Sequence, residues 1–338
     1  TCCMQWRIAV DDETFHKWDD EWKEKVKEVE EGRIIELKND GMCPFLNEKK
    51  LCKIVLRDGE GAISETCHTF PREEHEYIGR VERALTPGCP AVLDLLWKQE
   101  CFQIQKKEEQ MEGIAEEIYE INPVLFEIRD WFLDIVNTRE IKLNTTLEIC
   151  FLIALDLYEL EQKGVLEDEF QSYKNTTDIW KIQDAIGENG TITEERLEEY
   201  NLLFLDVSQI YREQNIYGDF LVPLATECFK TYQHKIKKWA KELRNLFAEE
   251  ISSAIITPGT GQVVDILVKL EWMAMEYAVL SQALFLQQRK GELTDKKIQK
   301  SVCVVFRMMG YADDDIWEYM ENCFDSVIWP WEYYSLLV

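Results

Sequence analysis

Six of the eleven cysteines fall in the first 89 residues, at Cys2, Cys3, Cys43, Cys52, Cys67 and Cys89. Thiolates are soft ligands, and four of them make up the usual zinc or iron–sulfur site. Two of the six precede proline, in Cys43-Pro44 and Cys89-Pro90, as in ferredoxin-type ligation, where proline helps fix the turn that leaves the ligand. The adjacent pair Cys2-Cys3 suits zinc less well, since structural zinc sites favour cysteines two to four residues apart and no such pair occurs in this region. Disulfides would need an oxidising compartment, and nothing in the sequence indicates secretion. A solitary buried thiol is the default for one cysteine, but Cys43, Cys52, Cys67 and Cys89 stand beside proline, glycine and charged residues. The spacing therefore points to metal and leaves iron–sulfur and zinc both open. Cys101, Cys150, Cys228, Cys303 and Cys323 are expected to be core thiols; Cys150 and Cys303 lie in apolar runs. His68 and His75 flank the cysteines and are expected in exposed loops rather than as ligands.

The elements that must position these cysteines divide the chain in two. The expected fold class is mainly α, with a small irregular cysteine-rich metal-binding module at residues 1–92 and a multi-helix body at 93–338. Within the module, Asp11 or Asp12 can cap a helix whose apolar stripe is Phe15, Trp18, Trp22, Val26 and Val29. Glu13, Lys17, Glu21 and Lys25 form an i,i+4 ladder of alternating sign outside it. Cys52 to Leu56 reads as a short strand running into the Asp58-Gly59 turn. From about residue 91 the periodicity is helical. Asn122-Pro123 opens a helix to about Asn137, and Asn144 or Thr145 caps another that ends at Gly164. Further helices fit 165–174, 176–187, 194–213, 219–254, 262–290 and 294–309, with Thr193 and Thr294 as cap-like starts. No fixed repeat period occurs, which argues against a solenoid.

Composition narrows the function. Against 38 basic residues stand 65 acidic ones, a net charge of −27 over 338 residues, with 46% hydrophobic residues. That balance describes a folded protein whose surface repels phosphate backbones and anionic lipid, so neither nucleic acid nor a membrane is an expected partner. The most apolar stretch, Val263 to Leu286, is interrupted by Asp265, Lys269, Glu271 and Glu276, which argues against a membrane span. With no apolar leader at the start of the sequence, a cytoplasmic location is expected. Gly59-Glu60-Gly61 and Gly259-Thr260-Gly261 follow no convincing strand and do not continue a dinucleotide fingerprint. A GxxxxGK[ST] loop, the CxxxCxxC triplet of radical S-adenosylmethionine (SAM) enzymes and a local nucleophilic triad are all absent. The tail Trp329-Pro330-Trp331-Glu332-Tyr333-Tyr334 fits a docking strip or a packed terminus.

An ordered set of motifs goes further. Thr1-Cys2-Cys3, Trp6-Arg7-Ile8, Cys43-Pro44-Phe45-Leu46-Asn47, Leu51-Cys52-Lys53-Ile54, Glu65-Thr66-Cys67-His68-Thr69-Phe70-Pro71-Arg72 and Gly88-Cys89-Pro90 follow one another as they do in the flagellin lysine-N-methylases. The chain resembles that family densely across residues 1–92. Beyond them the likeness is diffuse, in a helical body and in Glu292-Leu293-Thr294-Asp295 after a long apolar helix. The cysteine pattern alone is also similar to a broader set of small metal proteins with a C-C…C…C…C-x-x-[FY]-P arrangement. Family members carry further cysteines just upstream of the Thr-Cys-Cys element, at which this sequence begins.

The resemblance implies a SAM-dependent protein-lysine N-methyltransferase acting on flagellin, with a [4Fe–4S] cluster on cysteines drawn from Cys2, Cys3, Cys43, Cys52, Cys67 and Cys89. Members do not use the common methyltransferase fold, which accommodates the missing glycine-rich turn. Arg72 and Arg7, beside candidate ligands, could pair with a cofactor carboxylate or tune a cluster, or make ordinary ion pairs. Trp6 fits a core position or a wall of a lysine pocket. A cluster would bind SAM, deliver an electron, or fold the module. The alternative is a non-enzymatic iron–sulfur or zinc-stabilised protein-interaction module.

Overall fold

The computed structural model describes residues 3–4, 8–29, 32–107, 118–187, 194–209, 211, 236–310 and 312–338. Its N-terminal part is built from short pieces. Asp11 accepts a hydrogen bond from Thr14 N at 2.7 Å and starts α1, Asp12–Lys17. Asp19 accepts from Trp22 N at 3.1 Å and starts α2, Asp20–Lys23. The single helix expected from Asp11 to Val29 is thus interrupted, because Asp19 supplies a second N-cap one turn on. Val26 and Val29, β-branched and at the end of the apolar stripe, leave it for strand β1, Val26–Val29. That strand pairs antiparallel with β2, Gly32–Ile35, Val26 opposite Ile35. The strand expected at Cys52–Leu56 is instead helix α3, Lys53–Asp58, which ends at Gly59 with φ of 90°, a conformation glycine tolerates. Helix α4, Glu65–Thr69, starts at Ser64.

These pieces enclose a core of their own. Ile8, Val10, Trp18, Trp22, Ile35, Cys43, Phe45, Leu46 and Ile54 are buried together, with Cys3, Cys52 and Cys67 packed against them. Phe45 sits edge-on between Trp18 and Trp22, both ring centroids 5.4 Å away. The two indole N–H groups tie the aromatic wedge to the next elements: Trp18 donates to Ala62 O at 2.6 Å and Trp22 to Asp58 Oδ2 at 2.9 Å.

Among the described residues, the buried side chains beyond Phe70 pack into a second, larger core. Strands β3, Arg72–Tyr77, and β4, Arg80–Leu85, form an antiparallel hairpin that turns at Gly79, φ 78°. Buried Tyr77 fastens it to the body by donating to Ile256 O at 3.2 Å. The cores therefore part between Cys67 and Phe70, and residue 92, the expected boundary, lies within helix α5, Pro90–Lys98, of the larger one.

The body is helical, in line with the sequence. Its described helices are α5, α6 (Pro123–Val136), α7 (Leu143–Gln162), α8 (Leu166–Thr176), α9 (Ile179–Ile186), α10 (Glu194–Val207), α11 (Ala240–Ala254), α12 (Val263–Arg289), α13 (Asp295–Met308), α14 (Asp313–Cys323) and α15 (Trp331–Leu337). Asn122 caps α6 with proline at its first turn, and Thr294 caps α13 by accepting from Lys297 N. The expected start of α7 at Asn144 or Thr145 falls slightly inside the observed helix. Thr193, residues 219–235 of the 219–254 span, Cys228, Cys2, Trp6 and Arg7 lie outside the described residues.

Helix α12 is the centre of the body, buried over nearly its whole length from Val263 to Leu286. It contacts α7, α10, α11, α13, α14 and α15. Among the described residues no helix is long and apolar enough to cross a membrane. Cys150 and Cys303 are buried as expected, whereas Cys101 is half-buried and Cys323 exposed, because each lies at the edge of the helical packing. The aromatic tail packs inward: Tyr334, fully buried, stacks on Phe151 with centroids 3.9 Å apart and planes at 3°.

Tyr334 generates a paired prediction. Its hydroxyl has no hydrogen-bond partner among the described residues, and a buried unsatisfied hydroxyl is costly. Tyr334→Phe should leave stability unchanged or raised, while Tyr334→Ala should lower it by about 3 kcal/mol, both read from urea unfolding midpoints.

Candidate functional site

The small core brings four of the six candidate ligand cysteines into one neighbourhood. Cys43 N donates to Cys3 O at 2.9 Å, flanked by the Met4–Met42 bridge. Cys52 stands at the N-terminus of α3, its backbone bridged to Leu46, and Lys53 N donates to Phe45 O at 2.7 Å. Cys67 lies in α4, its N–H directed at the Ser64 hydroxyl at 3.4 Å. Burial pushes the Cys43 thiol up to about 11; Cys67 and Cys52 add to the shift, and the Phe45 backbone and Lys38 oppose it. Cys43 is thus close enough to Cys52 and Cys67 to feel their charge. Among the described residues, however, no group of three or more His, Cys, Asp or Glu side chains is arranged to hold a metal ion. The four share one core. As a donor set their chemistry suits a thiolate-bound metal or cluster.

Cys89 is elsewhere. It precedes α5 in the larger core, and the neighbouring thiol there is Cys303, whose own pKa burial raises to about 12. The proline that follows serves as the first residue of that helix, so Cys89-Pro90 has a structural explanation apart from ligation. His68 is exposed on α4, and Arg72 is exposed at the start of β3.

A second site, built from the body, carries most of the unusual electrostatics. A cavity of about 550 Å³ lies between β3, the Thr86-Pro87 turn, α11, α12 and the start of α14. On α12, Lys269, Trp272, Met273 and Glu276 fall at i, i+3, i+4 and i+7 and so share the face that lines it. On α11, Glu250, Ser253 and Ala254 do the same, and on β3 Glu73 and His75 point the same way at strand spacing. Trp272, Met273, Phe306, Met309 and Ile316 give it apolar walls.

Its carboxyl groups are poorly compensated. Lys269, buried, is bound to Asp313, which also accepts from the Thr257 hydroxyl. Among the described residues no ion pair reaches Glu249, Glu250 or Glu276, each less than a tenth exposed. The Oε2 atoms of Glu249 and Glu276 have no hydrogen-bond partner there. Desolvation raises all three carboxyls, Glu250 to about 8, with Glu73 adding to the shift at Glu250 and Lys269 opposing it. Glu73, open to solvent on one side but crowded by protein on the other, is raised by the same cause against His75 and Lys269. Farther along α12, burial raises Glu271 to about 9 although Trp329 N–H donates to it at 2.8 Å. Sequence reading noticed Lys269, Glu271 and Glu276 only as interruptions of an apolar run; charged residues inside so apolar a stretch were the available signal for a buried polar site.

These shifts fix the sign of a pH dependence. Carboxyls near 4.5 when unfolded and near 8 or 9 when folded hold protons in the native state that the unfolded chain has released. Their contribution is fully present below about pH 4.5 and is lost as pH rises through about 8. The urea midpoint should therefore fall between pH 5 and pH 8, and Glu276→Gln should flatten that fall and raise stability at pH 8. A midpoint that does not move over this range would contradict the buried-acid arrangement.

Known proteins related to the chain were found by sequence. It is 32% identical over 104 residues to the flagellar biosynthetic protein FliU of Salmonella muenchen, a match covering 27% of this chain and 62% of that protein. Over a stretch of the same length it is 32% identical to proteins named lysine-N-methylase from Salmonella typhimurium and Salmonella choleraesuis, covering 26% of each. The chain thus spans less than two thirds of the length of the curated relatives it matches. No family model and no solved structure matches it. The resemblance is therefore a sequence relationship to curated proteins named lysine-N-methylase, extending over about a quarter of this chain.

Proposed function

We propose that this protein is a SAM-dependent protein-lysine N-methyltransferase acting on a flagellin and carrying a [4Fe–4S] cluster on Cys3, Cys43, Cys52 and Cys67. The observation that carries the reading is the 32% identity to proteins named lysine-N-methylase. Four of the five candidate cysteines among the described residues share the small core, and Cys2 lies outside those residues. SAM would supply an electrophilic methyl group, and the cluster would supply a site for SAM's polar groups, an electron, or structural support to the module.

What the chain itself must do is deprotonate and desolvate an amine. A lysine ε-nitrogen attacks a methyl group only through its lone pair, so the ammonium proton has to leave first. A carboxyl whose pKa lies near the working pH is suited to take it, and Glu250, at about 8, is of that kind. The apolar walls of the cavity would lower the cost of a neutral amine beside it. Arg72, exposed at the start of β3, would pair with a cofactor carboxylate.

Two experiments test this. Co-expression with a flagellin should add the mass of one or more methyl groups to flagellin lysines; an unmodified flagellin would sink the methyl-transfer reading. Anaerobically purified protein should contain iron and sulfide in equal amounts. Cys43→Ser, Cys52→Ser or Cys67→Ser should lose the iron, whereas Cys89→Ser and Cys150→Ser should keep it. Zinc in place of iron, or equal metal retention in both groups, would remove the cluster assignment.

A further inference from the structure

We propose that the cavity between β3, α11, α12 and α14 is a binding site for a primary alkylammonium, its charge held by Glu250 and Glu276 and its alkyl stem lying against Trp272 and Met273. Identifying that ammonium as a lysine side chain rests on the function proposed above; the ammonium site itself does not.

The argument begins with what the cavity lacks. Buried polar atoms are nearly always hydrogen-bonded, and each exception needs a cause. Here Glu276, 4% exposed and lining the cavity, leaves Oε2 without a partner among the described residues. Neighbouring Glu249 leaves its Oε2 in the same condition. The resident cation does not supply the missing donors, because the Lys269 ammonium is bound to Asp313. Once ionised, these carboxyls offer acceptors and no donor. An alkylammonium has the complementary chemistry, with three donors and no acceptor, and its stem suits walls of tryptophan and methionine.

The charged and titratable groups around the proposed site are Glu73 and His75 on β3, Glu249 and Glu250 on α11, Lys269 and Glu276 on α12, and Asp313 and Asp314 at the start of α14. Desolvation keeps the glutamic acids protonated in the free protein. Entry of an ammonium makes the ionised form the better partner, so a carboxyl proton passes to solvent as the charged pair forms. Binding is thus coupled to proton release and tightens as pH rises toward 8.

Calorimetric titration of the full chain with n-butylamine at pH 7.5 tests the site. Saturable binding is expected, with a heat that depends on the ionisation enthalpy of the buffer, and butan-1-ol, the same stem without the charge, should give none. Glu276→Gln should weaken binding about tenfold or more, the scale of one lost charge-assisted hydrogen bond, and Glu250→Gln should reduce the proton release. If circular dichroism shows one variant unfolded, the other is read in its place. Absence of n-butylamine binding, equal affinity in wild type and both variants, or equal binding of butan-1-ol would overturn the proposal. Amine binding with an unmethylated flagellin would keep the site and sink only methyl transfer; a methylated flagellin without amine binding would do the reverse.

Discussion

The burial of α12 on nearly every side constrains the rest of the body, because each polar residue it carries must be answered from within the protein. The neighbours show how. Lys269 draws in Asp313 and, through it, Thr257, which fixes the start of α14 beside the 257–260 turn. Trp272 donates to Met309 O at 3.1 Å and Glu271 accepts from Trp329 N at 2.8 Å, so the end of α13 and the C-terminal tail are set by the same helix. At its N-terminus, Glu161 at the end of α7 accepts from Val263 N at 3.0 Å. The accounting is incomplete at Glu271, Glu276, Gln282 and Gln288, each of which leaves one side-chain oxygen unpartnered among the described residues, and of these Glu276 lines a cavity.

The small core obeys a different constraint. It has too few apolar residues to resemble the body's packing and relies on aromatic contacts around Phe45. Its periphery is charged: Arg57 lies 3.9 Å from the Trp22 ring centroid while reaching Asp19, Glu21 and Asp58. Exposed pairs of this kind contribute little individually, so the aromatic wedge and the indole hydrogen bonds do most to hold α1, α2 and α3 around the cysteines.

The parts legible in the sequence were those with local causes. Asn122-Pro123, Gly164 and Thr294 mark helix ends through backbone chemistry that acts within one turn, and α6, α7, α12 and α13 lie where periodicity put them. The misreadings are local patterns with two solutions. Phe15, Trp18 and Trp22 reach one core whether the helix is continuous or restarted at Asp19, so spacing alone does not reveal the break. Cys52–Leu56 is apolar and short enough for strand or helix, and the choice falls to helix between Cys52 and Gly59. The cavity was not legible because its carboxyls come from α11, α12 and β3, and only tertiary packing shows that Glu250 and Glu276 face one space. Cys89 illustrates the same limit in reverse: it sits in the cysteine-rich segment of the sequence but in the other core of the fold.

The parting of the two cores between Cys67 and Phe70 has a thermodynamic consequence. If the two cores unfold separately, a ligand that engages the cysteines of the small core stabilises that core by mass action and leaves the other untouched. The large core, with its own burial, sets a separate limit. Two unfolding steps would then follow, the first set by the chemical potential of whatever the cysteines bind and the second by temperature and pH.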